Sequence, residues 1–167
     1  MDGFQECLYH QQHTSNAVIS MVIRPATLVD IPAVVSGCVA MLKETSWYLP
    51  GETMDVVSRA QYLRERLERD PNWRLYVADD DGVLAGFIGV EIANHPLHPQ
   101  SFRFIREWAQ WVRPQYRGQR LAWQLMEKVC EWGREVKVRG VIYAKPLTKT
   151  RPKRGPVEQL IWIDLEG

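Results

Sequence analysis

The stretch Arg117-Gly118-Gln119-Arg120-Leu121-Ala122 sets one glycine and two arginines directly before an amphipathic run, with no ordinary capping side chain. A helix start leaves about four backbone N–H groups without an intrahelical acceptor. Its partial positive charge favours anions, by about 0.3–1 kcal/mol per exposed charge. When a strand leads into such a start, the end suits a phosphate group. Gly118 has no Cβ and lets the backbone come close to a ligand, while Arg117 and Arg120 add positive charge. The chemistry implied is the cradling of a pyrophosphate. The same residues also describe a plain surface turn, and spacing alone leaves both readings open.

Other reactive types are less informative. His95 and His98 lie close together in "NHPLH", but with no cysteine or further ligand nearby they do not make a metal site. Cys38 falls on the apolar face of a helical pattern and reads as a small core residue. Cys130 faces the core or its edge and is given no nucleophilic role. Three cysteines (Cys7, Cys38, Cys130), odd in number and far apart, suit reduced thiols in a cytoplasmic protein better than a disulfide framework.

The chain has 167 residues, 46% of them hydrophobic, and a net charge of +1. That length fits one compact domain with its own core. The near-zero charge gives no global field toward nucleic acid or membrane, and no apolar run approaches the ~18 residues of a membrane span. Residues 1–20 hold no Lys or Arg and lack a secretory pattern. They are read as an N-terminal extension, a poorly ordered tail or an oligomer contact, with the domain proper over 21–167.

The elements that must position the hexad follow from periodicity. "MVIRPAT" (Met21–Thr27) predicts a first strand. Thr27 and Asp30 offer helix-start oxygens, and Ile31, Val34, Val35, Cys38, Val39 and Leu42 repeat at helical spacing. A loop with Pro50 and Gly51 follows, then a helix over about Met54–Arg69 with Val57, Ala60, Leu63 and Leu67 on one face. Leu75–Asp79 and Val83–Ile92 flank an Asp-Gly hairpin turn. Gly86 and Gly89 inside the second strand indicate bulges or close backbone approach. "ANHPLHPQ" reads as a loop before a strand at Phe102–Val112. The helix from about Gln119 to Lys137 should bury Leu121, Leu125, Val129, Trp132 and Val136. Gly140–Ala144 and Gln159–Leu165 are the last strands. The crossover through that helix makes the sheet mixed, in an α/β (α+β) domain.

"VRPQYRGQRLAWQLMEKVCEWGRE" resembles the central motif of the GNAT superfamily of acyl-CoA-dependent N-acetyltransferases: Arg or Gln, two residues, Gly, one residue, then Gly or Ala. Arg117 takes the first position and Ala122 the last. "MVIRPATLVDIPAVV" is similar to the family's first strand and helix, and the Asp-Gly hairpin and "GVIYA" fall where further strands belong. The resemblance implies a mixed, mostly antiparallel central sheet flanked by helices. It implies acetyl-CoA, or another acyl-CoA, bound by Gln110, Trp111, Val112 and Arg117, Gly118, Gln119, Arg120, Leu121 and Ala122. Backbone near Gln110–Val112 would polarise the thioester carbonyl. Glu107 is the implied base, one residue off the family spacing, and such a slip reverses a strand's face unless a bulge corrects it. Tyr143 is a weaker candidate acid. Trp47 and Tyr48 would line the mouth for an amine acceptor, small molecule or protein.

Two departures stand out. The motif's middle glycine is Arg120 here, able to clamp phosphate or to block it. Pro146 and Pro152 oppose a long helix in "KPLTKTRPKRGP", so the family's fourth helix is expected to be shortened or absent. Three function classes follow: an active N-acetyltransferase; a nucleic-acid-directed acyltransferase or binder using the basic 145–156 loop; and a GNAT-like fold without catalysis. The first is preferred, with no membrane role and room for a homodimer.

Overall fold

The computed structural model describes residues 21–44, 53–95, 98–146 and 158–165. Strand β1 (Met21–Pro25) leads into helix α1 (Ile31–Glu44), then helix α2 (Val56–Arg69). Strands β2 (Trp73–Asp80), β3 (Val83–His95) and β4 (His98–Val112) form a meander. Helix α3 (Leu121–Glu135), β5 (Gly140–Pro146) and β6 (Glu158–Asp164) complete the order. The six strands lie in sequence order in one sheet. All neighbours are antiparallel except β4 and β5, which run parallel across the α3 crossover. The mixed, mostly antiparallel sheet and the three helices are as expected, and among the described residues no fourth helix follows β5.

The sheet is covered on both faces, which explains the apolar runs in β2 and β3. One cluster joins Ala78, Ile88, Val90, Ile105 and Val141 to Leu121, Leu125, Met126, Val129 and Trp132 of α3. The other joins Trp73, Leu75, Val77, Phe87, Ala109 and Trp111 to Ile31, Val34, Cys38 and Leu63 of α1 and α2. Fully burying such a side chain is worth about 1.5–3 kcal/mol. Cys38 and Cys130 are free and buried, and burial pushes both thiols up. Both are therefore packing residues, as their positions suggested.

Several boundaries differ from the sequence reading, three of them by a clear physical cause. Strands reach into "ANHPLHPQ" from both sides: His95 and His98 are register partners, so β3 and β4 extend into the expected loop. A long ladder outweighs the local preference of Pro99 there. Helix α3 begins at Leu121, not Gln119, because Gly118 and Arg120 hold positive φ (81° and 61°) and cannot continue a right-handed helix. It ends at Glu135, since Lys137 also has positive φ (56°), and Val136 is half-buried, not buried.

Asp55 caps α2, accepting from the Val57 and Ser58 amides at 3.0 and 3.1 Å. At the other end of the sheet, Arg24 donates to both oxygens of Asp30 (2.8 and 2.9 Å) and to Asp79 (2.8 Å). Asp30 also accepts from the Thr27 amide, and Asp79 from the Gly82 amide of the β2–β3 turn. The Arg24 guanidinium holds both carboxyls below the ordinary value. A lowered native pKa means that the stabilisation is present above the unfolded-state pKa of about 4 and fades as pH falls through the lower native values. We expect Asp30→Asn to lower Tm at pH 7, with the gap from wild type closing below pH 4. A gap independent of pH in a thermal-melt series would refute this.

Candidate functional site

The site is built where β4 parts from β5. The two strands share two register pairs, Ile105 with Val141 and Arg106 with Ile142. Beyond them β4 runs on to Val112 and β5 to Pro146 without pairing to each other. β3 still holds the far edge of β4, pairing Gln110, Trp111 and Val112 with Ile88, Phe87 and Gly86. A wedge-shaped split therefore opens between β4 and β5, with one edge of the β4 backbone turned into it.

A bulge lies at the start of that split. Gly89 opposes Ala109 while Val90 opposes Glu107, so Trp108 is the extra residue. Trp108 and Ala109 both pack with the cluster under α1 and α2. Glu107 shares the face of its partner Val90, which packs under α3. It is half-buried, with Oε2 shielded from solvent. Tyr143, the first β5 residue past the last β4–β5 pair, packs against the same α3-side cluster. The fold thus brings the expected base and acid to the two banks of the split on one face. The one-residue slip noted for Glu107 is accompanied by a bulge, at Trp108. That detail turns on strand register, which the sequence does not specify.

The segment entering α3 is anchored on three sides. Arg113 donates its amide to Ala85 O (2.8 Å) and its Nε to Leu84 O (2.9 Å). The Tyr116 hydroxyl donates to Asp80 at 2.6 Å; this bond holds the proton and raises the phenol's pKa. Arg117 donates Nε to Val112 O at 2.9 Å and pairs with Glu44 at the end of α1. The Arg117 side chain therefore ties the loop to α1 and β4. Only its backbone is turned to the hexad's own use.

From Gly118 to Ala122 the amides donate to no backbone or side-chain oxygen among the described residues. No side chain caps the helix, and Arg120 itself is the N-cap residue in the left-handed region. Gln110 reaches across from β4 to donate to the Ala122 carbonyl at 2.8 Å, fixing strand to helix. Residues 117–120 are exposed, and the Arg120 guanidinium has no hydrogen bond or ion pair among the described residues. Alternating left-handed and other backbone conformations that turn successive amides toward one point make an anion-binding concavity.

Trp47, Tyr48, most of the basic 145–156 loop and residues 1–20 lie outside the described residues. Among the described residues, no group of three or more His, Cys, Asp or Glu could hold a metal. No helix among them is long and apolar enough to cross a membrane.

The sequence matches the acetyltransferase (GNAT) family over residues 40–152. The chain belongs to the GNAT acetyltransferase family. Solved structures share its fold. An N-acetyltransferase from Staphylococcus aureus Mu50 superposes with TM-score 0.64 at 16% identity, covering 77% of this chain and 75% of that one. A putative acetyltransferase from Salmonella typhimurium, solved with its cofactor acetyl-CoA, gives 0.62 at 15% identity, over 87% and 94% of the two chains. A ribosomal-protein-alanine N-acetyltransferase from Brucella melitensis gives 0.59 at 22% identity, over 77% and 76%. No curated protein matches the sequence. GNAT membership supports acetyltransfer as a class of chemistry and leaves the recipient open.

Proposed function

We propose that this GNAT protein transfers the acetyl group of acetyl-CoA to an amine of a small molecule or protein. The observation that carries this reading is the run of unbonded amides from Gly118 to Ala122, set beside the parted strands. These amides hold the diphosphate, and the Arg120 guanidinium, with no partner among the described residues, adds a charge-assisted contact. Acetyl-CoA supplies an activated thioester. The free edge of β4 near Gln110–Val112 offers N–H groups to its carbonyl, where negative charge builds up during attack. Glu107 accepts the ammonium proton, directly or through water, so that the amine attacks in neutral form. Tyr143 stands on the opposite bank as a proton donor to the departing sulfur. Holding both reactants in one split supplies much of the rate by itself.

Titration of the protein with acetyl-CoA in a calorimeter tests the reading, with NMR shifts expected at the amides of Gly118–Ala122. No heat and no shifts would end it. Arg120→Gly separates the roles of this residue. A non-glycine residue in the left-handed region costs about 1–2 kcal/mol, of which about 0.5–1 is returned by the greater freedom of unfolded glycine. The variant should therefore be slightly more stable, by about 0.5 kcal/mol. Losing one charge-assisted contact should weaken acetyl-CoA about tenfold. Tighter binding would show that Arg120 obstructs the nest.

A further inference from the structure

The face of the split opposite Glu107 carries a cation that the chemistry above does not use. Arg59 projects from the first turns of α2, half-buried. Its guanidinium lies 5.4 Å from the Trp108 ring centroid and 5.6 Å from that of Tyr62. It has no hydrogen bond or ion pair among the described residues, unlike Arg66 two turns along the same helix, which pairs with Asp70. Trp108 is the bulge residue at the mouth of the split, stacked on Trp73 at 5.5 Å. Its Nε1–H is buried, on the side of Gly89, so the ring offers Arg59 its face and not a donor. The Arg59 guanidinium thus stands at the bulge with no acceptor among the described residues. A half-buried guanidinium without an acceptor costs free energy unless something else fills the role.

Resting on the acetyltransfer reading, we propose that Arg59, held over the Trp108 ring, recognises an anionic group on the acceptor. The acceptor is then a small amine that also carries a carboxylate or phosphate. Its anion sits on the α2 side against Arg59, and its amine points into the split toward the β4 edge. The stacking of Arg59 on two rings fixes the plane of its fork, which favours two-point contact with a planar carboxylate or a phosphate edge. Arg59 is a specificity-determining residue and takes no part in the proton transfers.

The test uses matched pairs: α-amino acids against their amides, and 2-aminoethyl phosphate against 2-aminoethanol. Binding is followed by tryptophan fluorescence without donor, and turnover by thiol release with acetyl-CoA. In wild type, at least one anionic member should bind and react roughly 10- to 100-fold better than its neutral partner, the worth of one to two charge-assisted contacts. Arg59→Gln should bring that ratio to about one, with acetyl-CoA affinity unaltered. Arg59→Lys should retain only part of it, and Trp108→Phe, which keeps a ring under Arg59, should leave most of it in place. The carboxylate and phosphate arms say which anion is read. Equal handling of charged and neutral amines, or a preference that survives Arg59→Gln, overturns the assignment, as does failure of every anionic member to bind. If anionic amines bind through Arg59 but acetyl-CoA does not bind, the recognition stands and the acetyltransfer reading falls.

Discussion

Gly89→Ala is expected to cost about 3 kcal/mol and to remove most acetyltransfer activity. A Cβ at this position would lie 2.1 Å from Cε2 and Cζ2 of Trp108, a distance no real contact tolerates. Moving the indole breaks its face contacts with Trp73 and with Arg59. It must leave its seat. Overpacking of this kind costs about 1–3 kcal/mol, and losing the aromatic pair adds about 0.5–1.5. For a domain of this size the fall in Tm is about 6–12 °C. The bulge residue at the mouth of the split moves with it, so turnover suffers more than folding. The check is a double-mutant cycle with Trp108→Ala. Once the ring is gone, the extra methyl has room, and Gly89→Ala should then cost less than 1 kcal/mol. Additive costs in the two backgrounds would show that Gly89 is required for some reason other than Trp108.

Glu107→Gln is expected to lower kcat about 100-fold while acetyl-CoA binding stays within about twofold, the usual worth of a positioned general base. The substitution keeps shape and removes only the proton-accepting charge. Glu107 is β4's one carboxylate, and it stands at the first position past the last β4–β5 pair. It faces Tyr143 across the opening by register, since Ile105 opposes Val141 two residues earlier on each strand. The acid-side dependence of the rate should also move toward the pKa of the acceptor amine, which must then lose its proton to solvent. An unchanged kcat and pH profile would take Glu107 out of the reaction and leave proximity and carbonyl polarisation to carry it.

Much of this arrangement is written in local residue choices. Asp-Gly after Leu75–Asp79 marks the β2–β3 turn, since Gly82 takes φ 84° there and few other residues would. Apolar spacing locates α1, α2 and α3, because a helix buries one stripe whatever its partner is. "VRPQYRG" followed by an amphipathic run locates the unbonded amides of the α3 start for the same reason: they are a property of the helix start itself.

Other features depend on which strands meet. Whether Arg117 grips a ligand or Glu44 depends on where α1 ends in space, 73 residues away in sequence. The face taken by Glu107 depends on one extra residue, Trp108, being accommodated opposite Gly89, and nothing within either strand announces that pairing. Arg59 reads in sequence as one more charge on a solvated helix face. It becomes a candidate binding group because α2 lies over the β4 bulge and no carboxylate among the described residues pairs with it. The amino-acid sequence determined the elements, the core stripes and the unbonded amides at the start of α3, all of which rest on contacts within a few residues. Tertiary structure decided the split, its two banks and the Arg59–Trp108 pair, because each is a meeting of residues brought together only by register and packing.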